Sequence, residues 1–138
     1  VRRPPGLAAA ALACAGLASC VPPPFTPPAQ GGLAGARLAC NAQYPQKRGN
    51  YLPHAECVNA AVERYALPSA HHPDLVRLQE AARVHFSAKI DRGEITLRGG
   101  ERGMRKADAL TAEAGRDRDA GKADAARQKI AAIEAMLR

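Results

Sequence analysis

The stretch PDLVRLQEAARVHFSAKIDRG, residues 73–93, decides the fold class. Leu75, Leu78, Ala82, Phe86 and Ile90 recur three or four apart, the spacing that puts them on one face of an α-helix. Most residues between them are polar or charged and suit a face turned to water. Pro73 and Asp74 fit a first turn, where proline lacks only an amide hydrogen that has no partner anyway and an acid favours the positive end of the helix dipole. Gly93 closes the helix, because glycine takes up the left-handed cap without a Cβ penalty.

Toward the C-terminus, Glu94 and Ile95 make a tight connection and Thr96 is a suitable N-cap. Leu97, Met104, Ala107, Leu110 and Ala114 then form the apolar face of a further helix. Gly99, Gly100 and Gly103 each cost about 1 kcal/mol relative to alanine inside a helix. Its first turns therefore either fray or pack closely on a neighbour. GRDRDAG, residues 115–121, marks a break or weak joint. From about Lys122 the helical spacing resumes, with Ala126, Ile130, Ile133 and Leu137 on one side.

Toward the N-terminus, SAHHPD (residues 69–74) is a boundary, and Pro68 ends an earlier helix. That helix begins near Pro53 and carries Val58, Ala61, Val62 and Tyr65 as its stripe. Residues 40–52, with Pro45, Gly49 and two asparagines, read as irregular. No alternating strand pattern and no repeat competes. The predicted fold is all-α: a small bundle of three or four helices with one disulfide, antiparallel where connections are short. With no Trp, three Tyr and two Phe, its core is lean and rich in alanine.

Residues 1–19 have a different character. VRRPPG carries Arg2 and Arg3 and no acid, and LAAAALACAGLAS follows as a short run of small and apolar residues. A basic segment, a short apolar segment and a small-residue cleavage region make a secretory signal peptide. The run falls short of the roughly 20 residues that a membrane span needs. Val1 fits either a chain begun from a GTG codon or a fragment of a longer one.

Leu17, Ala18, Ser19 and Cys20 resemble the lipobox of bacterial lipoproteins: an aliphatic residue, two small residues, then the obligatory cysteine. The resemblance implies cleavage just before Cys20, a diacylglyceryl group on its sulfur and, in many members, acylation of the new amino group. Val21 stands where an Asp tends to retain lipoproteins in the inner membrane of enteric bacteria. By resemblance this chain belongs at the outer membrane, facing the periplasm. CVPPPFTPPAQGGLAGAR, residues 20–37, then reads as a Pro/Gly-rich tether. Where proline dominates, such a tether extends at about 3.1 Å per residue. Residues 38–138 are left as the helical domain.

The cysteines are consistent with this arrangement. Cys14 lies in the leader and Cys20 is the lipidation site, so Cys40 and Cys57 remain. In an oxidising compartment they most simply form one disulfide. A metal site or a redox pair is the rival reading, but there is no Cys-x-x-Cys and no histidine at ligand spacing from both.

CNAQYP (40–45), NYLPHAECVNAA (50–61), PDL (73–75) and DRGEIT (91–96) together resemble small helical envelope lipoproteins of high-GC proteobacteria. The likeness runs from about Cys40 to Thr96 and implies no activity. The segment after Thr96 departs from it: those proteins carry acidic helix formers where this chain has Arg98, Gly99 and Gly100.

No catalytic motif stands out. His71 and His72 beside Asp74 suggest a metal, but adjacent side chains in a turn are expected to point apart, so turn capping is the favoured reading. His54 and His85 are isolated. Ser69 and Ser87 lack a nucleophile context, and Gly99 to Gly103 lacks the lysine of a phosphate loop. No enzyme activity, metal or cofactor is expected.

The net charge is +7, and +5 once Arg2 and Arg3 leave with the signal peptide. Export removes cytosolic nucleic acid as a partner, stacking aromatics are scarce, and acids are interspersed with bases. The remaining bias favours anionic lipid headgroups or peptidoglycan. The expected role is that of a membrane-anchored, periplasm-facing lipoprotein with a structural or adaptor function. Membrane lipid would be held through acylated Cys20, and an envelope protein through Val58, Tyr65, Leu75 or the last helix. The alternatives are an inhibitor of a cell-wall-degrading enzyme, for which a basic domain is a poor match to cationic lysozymes, and a soluble secreted periplasmic protein.

Overall fold

The computed structural model describes residues 31–138. Five α-helices follow one another there: α1 Gly32–Gln43, α2 Tyr51–Tyr65, α3 Pro73–Arg92, α4 Leu97–Asp119 and α5 Ala123–Met136. A 3-10 turn at Leu67–Ser69 joins α2 to α3. No strand occurs among the described residues, so the fold is all-α, with five helices instead of three or four. Residues 1–30, to which the expected signal peptide and most of the expected tether belong, lie outside the described residues.

The additional helix is α1. It occupies positions expected to be tether and irregular segment, and it starts ahead of position 38. Gly31 and Gly32, both at positive φ, mark its beginning. Its glycines and alanines give little periodic apolar signal. Ala36 and Cys40, one turn apart and fully buried, nevertheless seat it on α2. Helices this short are held by packing more than by propensity. The irregular segment shrinks to the residues between Gln43 and Tyr51, and Pro53 falls in the first turn of α2.

α3 is the central element. On one side Cys40, Cys57, Val58 and Val62 form a cluster closed by Leu33, Tyr44, Ala66 and Val76. On the other, Ala82 and Phe86 of α3 meet Ala107 of α4 and Ile133 of α5. A third cluster of Leu75, Ala114 and Ala126 extends this three-helix core toward the start of α3. Of the apolar stripes read from the sequence, Val58, Ala61, Val62, Leu75, Ala82, Phe86, Ala107, Ala114, Ala126 and Ile133 are buried, the rest are half-buried, and Leu97 is exposed at 37%. Buried Thr111 satisfies its hydroxyl by donating to the Ala107 carbonyl at 2.9 Å.

Polar ties fix the helix directions. Near the C-terminus of α3, the Asp91 carboxylate accepts from the amides of Gly49 (2.6 Å), Tyr51 (3.3 Å) and Leu52 (2.8 Å). It thereby caps the start of α2, which lacks a side-chain cap of its own. Arg118 near the end of α4 forms a bidentate pair with Asp74 at the start of α3. Lys129 of α5 reaches Asp117 of α4 at 2.5 Å. Neighbouring helices therefore run antiparallel. Thr96 caps α4 as expected, accepting from the Gly99 amide at 3.1 Å, and Gly93 closes α3 at φ 74°.

The break in GRDRDAG falls at its end. α4 runs through Asp119, and Gly121 turns the chain at φ 72°. Gly115 therefore lies inside α4, and the glycines there are not equivalent. A Cβ on Gly103 would lie 2.5 Å from Cε1 of buried Phe86. One on Gly115 would make ordinary contact, 3.5 Å from Cδ2 of His72. Gly115→Ala is expected to stabilise the domain by about 1 kcal/mol through helix propensity. In Gly103→Ala the same gain is outweighed by overpacking of roughly 1–3 kcal/mol. Paired urea denaturation curves check this, and equal stabilisation of both variants would contradict the close α3–α4 approach.

Candidate functional site

Leu17, Ala18, Ser19 and Cys20, expected from the sequence to form a lipid anchor, lie outside the described residues. Cys40 and Cys57 are joined as a disulfide with a Cα–Cα distance of 5.8 Å, which binds α1 to α2. No helix among the described residues is long and apolar enough to cross a membrane.

A concavity of about 460 Å³ lies between α2, α3 and α4. Val58, Phe86, Ile90, Leu97 and Met104 give it an apolar floor and wall. Arg83, Arg105, His54 and Glu101 supply its polar lining. Glycine shapes it: a Cβ on Gly100 would lie 2.5 Å from Cδ1 of Ile90, so α4 approaches the end of α3 closely there. The Arg83 guanidinium donates to the Asn59 side-chain oxygen. Burial, then repulsion from Arg37, lowers its pKa. His54 pairs with Asn41 Oδ1 at 2.7 Å, and burial followed by Arg83 depresses its pKa, favouring the neutral ring. An apolar groove with cationic groups at its edge suits an amphipathic or acidic protein segment. Val58 and Leu75, expected to meet a partner, are instead buried in the core, and Leu97 on the groove's border is an exposed apolar residue.

A second cleft, of about 510 Å³, is lined by Asn59, Glu63, Glu80, His85 and Leu137 among others. Glu80 Oε1 and His85 Nε2 are buried there without hydrogen-bond partners. Burial, and then Glu63, pushes the Glu80 carboxyl above its ordinary value of 4.5, against the opposing pull of Arg83 and Arg77. The folded chain therefore keeps this proton to a higher pH than the unfolded chain does. The contribution to stability is greatest below the unfolded value and declines as pH rises through the folded one. Asp74 and Asp117 have the opposite sign. Hydrogen bonds from Arg118 and Lys129 respectively hold their pKa values down. Their contribution is present above the ordinary carboxylate range and is lost as pH falls through the depressed values. Glu80→Gln is therefore expected to stabilise the domain at about pH 7 and to have little effect near pH 4. Denaturation curves at the two pH values check it, and a loss of stability at neutral pH would contradict the buried charge.

The histidines depart from the sequence expectation. His71 and His72 do not point apart: their ring centroids lie 4.4 Å from one another. Both Nε2 atoms approach the same oxygen, Asp119 Oδ1, at 3.2 Å and 3.0 Å. Asp74, their sequence neighbour, turns instead to Arg118. Ser69 uses its hydroxyl in the turn, donating to the Ala66 carbonyl at 3.3 Å. His85 packs edge-on to Phe86, and its pKa is lowered by burial, then by Lys89 and Arg92.

No protein-family model, curated protein or solved structure matches the chain.

Proposed function

We propose that this chain is an envelope lipoprotein, cut before Cys20, anchored through acyl groups on that residue, and carrying a helical adaptor domain without catalysis. The Cys40–Cys57 disulfide is the observation that carries the reading. Such bonds belong to oxidising compartments, so it supports export. It also uses both cysteines downstream of Cys20, which leaves that residue for lipid. The absence of Asp after Cys20 supports an outer-membrane address facing the periplasm.

The adaptor reading rests on the groove between α2, α3 and α4, with Leu97 at its border and Arg83 and Arg105 in its lining. These features suit an envelope protein that offers an apolar segment flanked by acids. Anionic headgroups or peptidoglycan would meet the basic surface outside the groove.

The test is site-specific photo-crosslinking in native envelopes. A probe at Leu97 is expected to give one discrete protein adduct, which Met104→Glu abolishes. A probe at exposed Arg127 on α5 is expected to give none. Identical adducts from both positions, or none from Leu97, would defeat the groove as the binding surface.

A further inference from the structure

We propose that His71, His72 and Asp119 form a binding site for a divalent transition-metal ion of the zinc and copper class. The two imidazole nitrogens and one carboxylate oxygen all lie within 4.8 Å of one another. The nitrogen–oxygen separations of 3.0 Å and 3.2 Å are close to what shared coordination requires. For bonds of about 2.0–2.1 Å in a tetrahedral shell, neighbouring donor atoms stand about 3.3 Å apart. Both nitrogen–oxygen pairs are already near that spacing, and the two nitrogens, within 4.8 Å of one another, close to it by rotation of the exposed His71 ring.

The donor set selects the ion class. Imidazole nitrogen suits zinc, copper and nickel, whereas magnesium and calcium favour all-oxygen shells. Three protein ligands leave a fourth position open to water or to a ligand from outside. The two histidines also border a shallow depression of about 340 Å³, lined further by Leu75, Thr111 and Gly115.

The fold supports two of the three ligands. His72 is half-buried, and its ring packs over Gly115, where Cδ2 would stand 3.5 Å from an added Cβ. Its carbonyl accepts from the Leu75 and Val76 amides at the start of α3, which fixes the backbone beneath the ring. Asp119 ends α4, where the negative pole of the helix dipole favours a cation. The nearby Arg118 charge is already matched by Asp74. His71, the most exposed of the three at 81%, is the ligand free to swing onto the ion. A bound ion would tie the connection before α3 to the end of α4, residues 47 positions apart in sequence.

The experiment is calorimetric titration of the tag-free processed protein, extracted from membranes in detergent, with zinc chloride, alongside thermal melts with and without zinc. One zinc per chain is expected, with a melting temperature raised by several degrees when zinc is in excess. His71→Ala and Asp119→Asn change exposed residues and are expected to keep the helical circular dichroism. Each should weaken zinc binding by at least the roughly 10–100-fold that loss of an outer-shell partner costs, and each should remove the melting shift. Unchanged zinc affinity in both variants would overturn the proposal, because the ion would then sit elsewhere. So would an absence of zinc-dependent heat and melting shift in the unmodified protein. Binding at one zinc per two chains with concentration-dependent dimerisation would also overturn it.

Discussion

Removing the Cys40–Cys57 disulfide is expected to lower the stability of the domain by about 3 kcal/mol, the value for a loop of roughly 15 residues. The bridge closes a comparable loop, with a sequence separation of 17. Domains of this size have a total stability of about 5–15 kcal/mol, so the fraction lost is large. The loss should not be uniform. α1 spans 12 residues and meets the rest of the fold through the cluster around Cys40, Cys57, Val58 and Val62. A free helix of that length is marginal in water. In a Cys40→Ala/Cys57→Ala variant, amide protection should therefore vanish first across α1, while the α3–α5 core around Phe86, Ala107 and Ile133 keeps its own. Hydrogen exchange resolved by segment checks this. An unchanged denaturation midpoint with α1 still protected would show that the bridge is dispensable.

The second large effect is expected at Cys20. Each buried methylene of an acyl chain contributes about 0.8 kcal/mol, so one chain binds marginally and two or three bind stably. No helix among the described residues offers another way to span a bilayer. Cys20→Ala should therefore shift the protein from the membrane fraction to the soluble fraction and abolish acyl labelling. Equal membrane retention of the variant, together with no acyl label on the unmodified protein, would sink the anchor.

How much of this was legible in the sequence depended on whether the signal was local. Leu75, Ala82 and Phe86 on α3, and Ala107 and Ala114 on α4, announce their burial through helical spacing, and they are buried. The caps at Gly93 and Thr96 are likewise local and occur where the residue types place them. α1 was not legible, because glycine and proline upstream blur its start and only Ala36 and Cys40 of its residues are fully buried. Asp91 gave no signal for its role, since it caps a helix 39 to 42 residues earlier in the chain. The histidine pair misled for the same reason. Asp74 lies beside it in sequence, but the carboxylate it meets is Asp119. The close fit of Gly103 against Phe86 shows why glycines that weaken an isolated helix belong in α4. The proposed anchor is the reverse case: its signal is local to residues 17–20, which lie outside the described residues.

Cys20 remains the centre of the proposed function, and intact-mass analysis of the protein extracted from membranes tests it most directly. The expected species begins at Cys20, carries a diacylglyceryl group with or without an amide-linked acyl chain, and has Cys40 and Cys57 joined. A chain beginning at any other residue with an unmodified Cys20 thiol would contradict it.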